Sequence, residues 1–198
     1  KDPSHAPRGS VELVIGFEQG IPVSIDGKMM TGIEILNFLN ELGGEYGVGR
    51  IDMVENRVVG LKSREIYEGP SAVVLHMAHT ELERICLDRP TFAYKRKLSQ
   101  DFANLVYNGA WFGPLREALQ AFVLESQRTV TGDVRVRISA GLARITGRRS
   151  KYSLYDGNLA TYHEGDTFDR DAATGFMELF GLSYKTVAHV RRAEGHPS

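Results

Sequence analysis

The chain has 198 residues, 42% apolar and 25% charged, and a net charge of −1. It is long enough to bury a sizeable core, has no run of the roughly 18–20 apolar residues a membrane span needs, and lacks the basic excess that binding nucleic acid requires. Its one cysteine, Cys86, excludes an internal disulfide and a cysteine-based zinc site, and such sparse thiol usage suits the cytoplasm.

The first ten residues hold two prolines, small residues and mixed charge, with neither an initiator methionine nor an apolar leader. They read as a linker from a preceding domain. Val11, Leu13, Ile15 and Phe17 alternate as a half-buried strand does, and a turn at Gln19-Gly20 returns the chain along Ile21 to Ile25 as a hairpin. Thr31 and Glu34 form a capping box. Ile35, Leu36, Leu39 and Leu42 follow at helical spacing, with Gly43-Gly44 as the stop. Strands are expected over Ile51 to Val54 and Arg57 to Leu61.

Pro70-Ser71 opens a helix to about Leu87, with Val74, Leu75, Ala78, Leu82 and Ile85 as its buried stripe. Helices are predicted around Asp101 to Tyr107 and from Pro114, a favourable first-turn residue, to about Gln127. Asp133 to Ser139 and Leu142 to Thr146 make a second hairpin around Ala140-Gly141. The basic run Arg148-Arg149-Ser150-Lys151 reads as a solvated turn. Short strands are expected near Tyr152 to Tyr155 and Asn158 to His163, then two short helices between Asp171 and about Arg192, broken near Gly181. Strands and helices cluster instead of alternating, so the fold class is α+β: antiparallel hairpins with packed helices.

Most candidate chemical groups have structural explanations. Gly47-Val48-Gly49 lacks the third glycine and the following helix of a dinucleotide loop, and reads as a tight turn. His76 and His79 lie one helical turn apart and could hold a metal if carboxylates converged on them; Glu81 and Glu83 are expected to point elsewhere, leaving two polar residues at the edge of a buried stripe. Cys86, beside Ile85 and Leu87, reads as a small core residue. Trp111 and Phe112 read as core or subunit interface. The stretch from Gly47 to Pro70 is different, because Asp52, Glu55, Asn56, Arg57, Lys62, Ser63, Arg64 and Tyr67 interrupt its apolar residues. Burying such groups unpaired costs roughly 1–3 kcal/mol each. They are therefore solvated, paired with one another, or turned toward a polar ligand.

Those residues also carry a family resemblance. Gly47-Val48-Gly49-Arg50-Ile51-Asp52, Val54-Glu55-Asn56-Arg57 and Lys62-Ser63-Arg64 with Tyr67-Glu68 resemble the argininosuccinate synthases. Ala78-His79, Ala103-Asn104-Leu105-Val106-Tyr107 with Trp111, Ser153-Leu154-Tyr155, and Asp171-Ala172 with Gly175-Phe176 continue the match in order. The resemblance implies the C-terminal synthetase and multimerisation part of a cytoplasmic ligase that joins citrulline to aspartate, with ATP going to AMP and pyrophosphate. It implies that ATP, with magnesium, is bound by an N-terminal domain, and that this chain holds no cofactor, no metal and no catalytic residue. Two citrulline contacts carry over, Glu55 and Tyr67. The expected organisation is a linker over 1–10, an α+β synthetase body over 11–170, and a C-terminal helical arm over 171–198 that makes a homo-oligomer, a tetramer in the family. The chain by itself is expected to be inactive. A non-catalytic oligomerisation module without its own ligand is the alternative. Two residues depart from the family loop: Glu65 stands where glycine is common and Gly69 where threonine is common. His76-Met77 likewise replaces an aromatic-histidine pair.

Overall fold

In the computed structural model, residues 1–157, 169 and 171–193 are described. They divide into two compact units, Lys1–Tyr155 and Asp156–Ser198. The first unit is built on a five-stranded antiparallel sheet. Its strands are β1 (Ser10–Glu18), β2 (Ile21–Ile25), β3 (Lys28–Met29), β6 (Gly132–Ser139) and β7 (Leu142–Arg149), in the order β3-β2-β1-β6-β7. Two further strands, β4 (Arg50–Asn56) and β5 (Lys62–Glu68), pair only with each other. The helices are α1 (Gly32–Glu45), α2 (Pro70–Cys86), α3 (Arg89–Tyr107), α4 (Pro114–Ser126) and, in the second unit, α5 (Asp171–Ala193). The described chain is thus α+β, and no helix among its described residues is long and apolar enough to cross a membrane.

Period-two alternation decides which face of the sheet is buried. Leu13 and Ile15 of β1 lie opposite Val136 and Val134 of β6, and all four side chains are buried. Ile35 and Leu39 of α1 and Val74, Ala78 and Leu82 of α2 complete the same core. The other sheet face is polar: Glu12 accepts from Arg137 Nη2 at 2.7 Å, and Arg149 donates to Asp133 at 2.6 Å. The capping box forms at the start of α1, with Glu34 accepting from the Thr31 backbone N–H at 2.7 Å.

Several sequence expectations are corrected. α1 continues through Gly43 and Gly44. Gly43 is needed for packing, since a Cβ there would lie 2.6 Å from the Pro70 side chain. Residues Arg57 to Leu61 form a turn, not a strand. Arg57 and Gly60 donate to the carbonyls of Leu61 and Arg57, and Gly60 has φ +85°. The returning strand is β5, whose charged residues meet partners across the ladder. α3 begins twelve residues earlier than Asp101, because Asp88 caps it and Pro90 occupies a first-turn position that needs no N–H donor. Tyr152 to Tyr155 is not a strand; Ser150 and Ser153 hydroxyls accept from the Tyr152 and Tyr155 N–H groups. The expected strand at 158–163 lies outside the described residues. α5 runs unbroken through Gly181, whose cost of about 1 kcal/mol relative to alanine is too small to stop a long helix.

A buried polar cluster joins α2, α3 and the end of α4. Glu83 is buried and accepts from Lys95 Nζ and from Gln127 Nε2, each at 2.8 Å. The side-chain Oε1 of Gln127 is 2.8 Å from His79 Nε2, and His79 Nδ1 faces Glu83 at 3.8 Å. Glu83 therefore does not point away from His79; four-residue spacing puts them on one helix face. Burial lowers the pKa of His79 below its ordinary 6.5, while Glu83 pulls upward and Lys95 and His76 push down. The unfolded chain then binds a proton near pH 6.5 that the folded chain does not. Stability is accordingly expected to be full above pH 6.5 and to fall as pH drops from there toward the folded pKa. Urea unfolding at a series of pH values checks this: His79→Gln should flatten that portion of the profile, and an identical slope in the variant would contradict the assignment.

Candidate functional site

The β4–β5 hairpin leaves the core at a narrow junction. Gly69 donates to the Gly49 carbonyl at 3.0 Å. Gly49 has φ +89°, and a Cβ on it would lie 2.6 Å from the Pro70 backbone, so glycine is required there on both counts. At the far end of β4, the Tyr107 hydroxyl of α3 donates to the Asn56 carbonyl at 2.8 Å. One contact fixes the root of the hairpin, the other the strand end that carries Glu55.

Register sorts the hairpin's side chains into two faces. Ile51 pairs with Tyr67, Met53 with Glu65 and Glu55 with Ser63, and these six share one face by strand alternation. Arg50, Asp52, Asn56, Lys62, Arg64 and Glu68 share the other. There Arg50 pairs with Glu68 at 3.1 Å, Arg64 Nε with Asp52 at 2.9 Å, and Lys62 with the Asn56 side chain at 2.7 Å. The Arg64 hydrogen bond lowers the pKa of Asp52. Lys62 and Arg64 are therefore engaged on the face opposite Glu55.

On the first face, Tyr67 donates to Glu55 Oε2 at 2.8 Å. Tyr67 lies within β5, beyond the strand expected over Arg57 to Leu61. The Glu55 side chain is only 15% exposed, and Arg57 Nη1 stands 3.6 Å from its Oε1. The same guanidinium makes a closer ion pair with Glu65. Tyr67 titrates above its ordinary 10.0, first because its proton is held by Glu55, and further because of burial and the negative charges of Glu55 and Glu65. It is a hydrogen-bond donor at neutral pH. Ser63 Oγ, opposite Glu55 in the ladder, is buried and has no hydrogen-bond partner among the described residues. Of the two residues that depart from the family loop, Glu65 lies in a regular strand, and Gly69, the N-cap of α2, has a negative φ of −135°.

His79, Cys86 and Trp111 make structural contacts. His79 is committed to Gln127 and Glu83, and among the described residues no group of three or more histidine, cysteine or acidic side chains is placed to hold a metal. Cys86 is buried, which raises its thiol pKa. Trp111 meets Phe102 edge-on at 6.4 Å and lies beneath Arg116, whereas Phe112 is 90% exposed.

The family description "Arginosuccinate synthase C-terminal domain" matches residues 1–187. The chain belongs to the argininosuccinate synthase family. It is 54% identical over 192 residues to the argininosuccinate synthases of Chlorobium luteolum and Pelodictyon phaeoclathratiforme, covering 97% of this chain and 48% of each relative. With the Chlorobaculum tepidum enzyme the identity is 53% over the same length, again 97% of this chain and 48% of the relative. The chain thus spans about half the length of these curated relatives and corresponds to the C-terminal domain of the family.

Tyr107 was legible in the sequence only as part of the Asn104-Leu105-Val106-Tyr107 block. Its partner lies fifty-one positions away, so no local pattern could reveal its role. Losing one neutral hydrogen bond corresponds to roughly two- to tenfold in a local opening equilibrium. In Tyr107→Phe, amide exchange in β4 and β5 should accelerate by about that factor while β1 and β6 exchange as before. Unchanged hairpin exchange would show that the Tyr107 contact does not hold the strand.

Proposed function

We propose that this domain presents the amino-acid-binding half of a citrulline site and the assembly surface of an ATP-dependent argininosuccinate synthase. The observation that carries the reading is the pairing of Glu55 with Tyr67 on one face of the hairpin. Citrulline brings a fixed α-ammonium, an α-carboxylate and a neutral ureido group. The Glu55 carboxylate suits the ammonium through a charge-assisted hydrogen bond, and the protonated Tyr67 hydroxyl offers a second, directional contact. Both residues hold and orient; neither is set up to move a proton. Their contribution to rate is positioning.

On this reading the ureido oxygen of the held citrulline attacks the α-phosphate of ATP, pyrophosphate leaves, and the aspartate amine then displaces AMP. Phosphoryl chemistry of this type needs donors fixed around the triphosphate and a magnesium ion. The reading assigns these to the other half of the family's chain, so this domain alone is expected to make no argininosuccinate. Ligand-detected NMR with millimolar citrulline tests the hairpin's share. Glu55→Gln should abolish binding and Tyr67→Phe weaken it roughly two- to tenfold; equal binding by all three proteins would refute a direct contact.

The second element of the proposal rests on α5. Phe176, Leu179, Phe180 and Tyr184 are each more than 60% exposed, and Phe176 stacks on Phe180 at 5.3 Å. An apolar row of this kind at helical spacing is the mark of a surface that another chain covers. Light scattering of the 198-residue protein should give a multiple of 22.0 kDa, four chains being expected. A chain ending at Asp171 should lose the assembly; a monomer at micromolar concentration would count against the reading.

A further inference from the structure

The charge balance on the Glu55 face depends on a residue to which the resemblance gave no role. Two carboxylates, Glu55 and Glu65, share one guanidinium, that of Arg57. The guanidinium is the closer to Glu65 and stands 3.6 Å from Glu55 Oε1, outside good hydrogen-bond distance. Among the described residues, two negative charges against one positive leave the face with one unbalanced negative charge. The opposite face is arranged differently: Arg50 and Arg64 each have their own carboxylate, and Lys62 bonds to Asn56.

We propose that Glu65 is a positioning residue of the amino-acid site, holding Arg57 away from Glu55 so that the Glu55 carboxylate stays available to a ligand ammonium. This rests on the reading of Glu55 as a citrulline contact. Two cations compete for Glu55. A guanidinium and an α-ammonium are both cations seeking the same carboxylate, and a local guanidinium has the higher effective concentration. Glu65 draws the competitor into a closer pair on the same face, leaving Arg57 at 3.6 Å from Glu55 Oε1 rather than at hydrogen-bond distance. It stands opposite Met53 in the ladder, two residue pairs nearer Tyr67 than Glu55 is, and so draws Arg57 along the hairpin. Because Arg57 is half exposed, solvent screening keeps the effect modest.

Removing Glu65 should let Arg57 close on Glu55 and neutralise it. Citrulline binding to the 198-residue protein, followed by ligand-detected NMR, should weaken about two- to fivefold in Glu65→Gln, the range of an exposed ion pair. Removing the competitor as well, in Glu65→Gln/Arg57→Gln, should restore affinity to the unaltered level. A merely structural role for Glu65 predicts the reverse, since the double variant loses still more hairpin contacts. The proposal is overturned if Glu65→Gln binds citrulline as the unaltered protein does, or if the double variant binds no better than Glu65→Gln. The Glu55→Gln variant separates the two readings: if it binds normally, the citrulline assignment itself fails, whereas lost binding there with an indifferent Glu65→Gln removes only the role of Glu65.

Discussion

Pro70 stands where three parts of the domain are pressed together. Its side chain lies against Gly43 of α1, its backbone against Gly49 at the foot of β4, and it begins α2. Neither glycine position leaves room for a Cβ, so the approach of these backbones is set by chain geometry and not by adjustable side chains. α1 and α2 are the helices that cover the apolar face of the five-stranded sheet. The junction therefore joins the core to the hairpin: where α2 starts is also where β5 ends. A two-stranded hairpin is marginal in isolation, and here it gains its orientation from this root and from Tyr107 at the far end of β4.

The hairpin's two faces show how one ladder can carry two electrostatic characters. On one face the cations are matched, each with its own acceptor. On the other, Glu55 and Glu65 outnumber Arg57, and the Tyr67 hydroxyl adds a donor rather than a charge. Pairs whose cation is half exposed or more, such as Arg57 and Arg64, contribute little to folding. Their arrangement matters for what a charged ligand would meet. Alternation with period two permits this separation, because adjacent residues in a strand never share a face.

In the helical part of the domain the buried side chains of Glu83 and Gln127 engage each other and their neighbours. Glu83 receives a lysine and an amide, and the same amide meets His79. An unpaired carboxylate at that depth would be costly. The cluster ties α2 to α3 and to the end of α4, so the helices that support Tyr107 and those that cover the sheet are linked through polar contacts as well as through apolar packing.

The sequence by itself determined the local features, because these rest on periodicity and on residues that act within a few positions. The β1–β2 and β6–β7 hairpins, the Thr31–Glu34 capping box, the start of α2 at Pro70 and the α+β class were all legible in this way, and the motif blocks pointed to the family. Legibility failed where local signals conflict with packing. Gly43-Gly44 resembled a helix stop but serves close approach; Val58, Val59 and Leu61 resembled a strand, yet Gly60 turns the chain there and the charged stretch Lys62–Glu68 forms the strand. A helix was expected only from about Asp101, yet α3 begins at Arg89, behind the Asp88 cap. Glu55 and Tyr67 were named from a motif, but their mutual hydrogen bond, the sharing of Arg57 with Glu65, and the reach of Tyr107 to Asn56 were decided only by tertiary structure. Each depends on strand register or on contacts between residues far apart in the chain, and neither composition nor spacing along a single segment encodes which distant side chains meet.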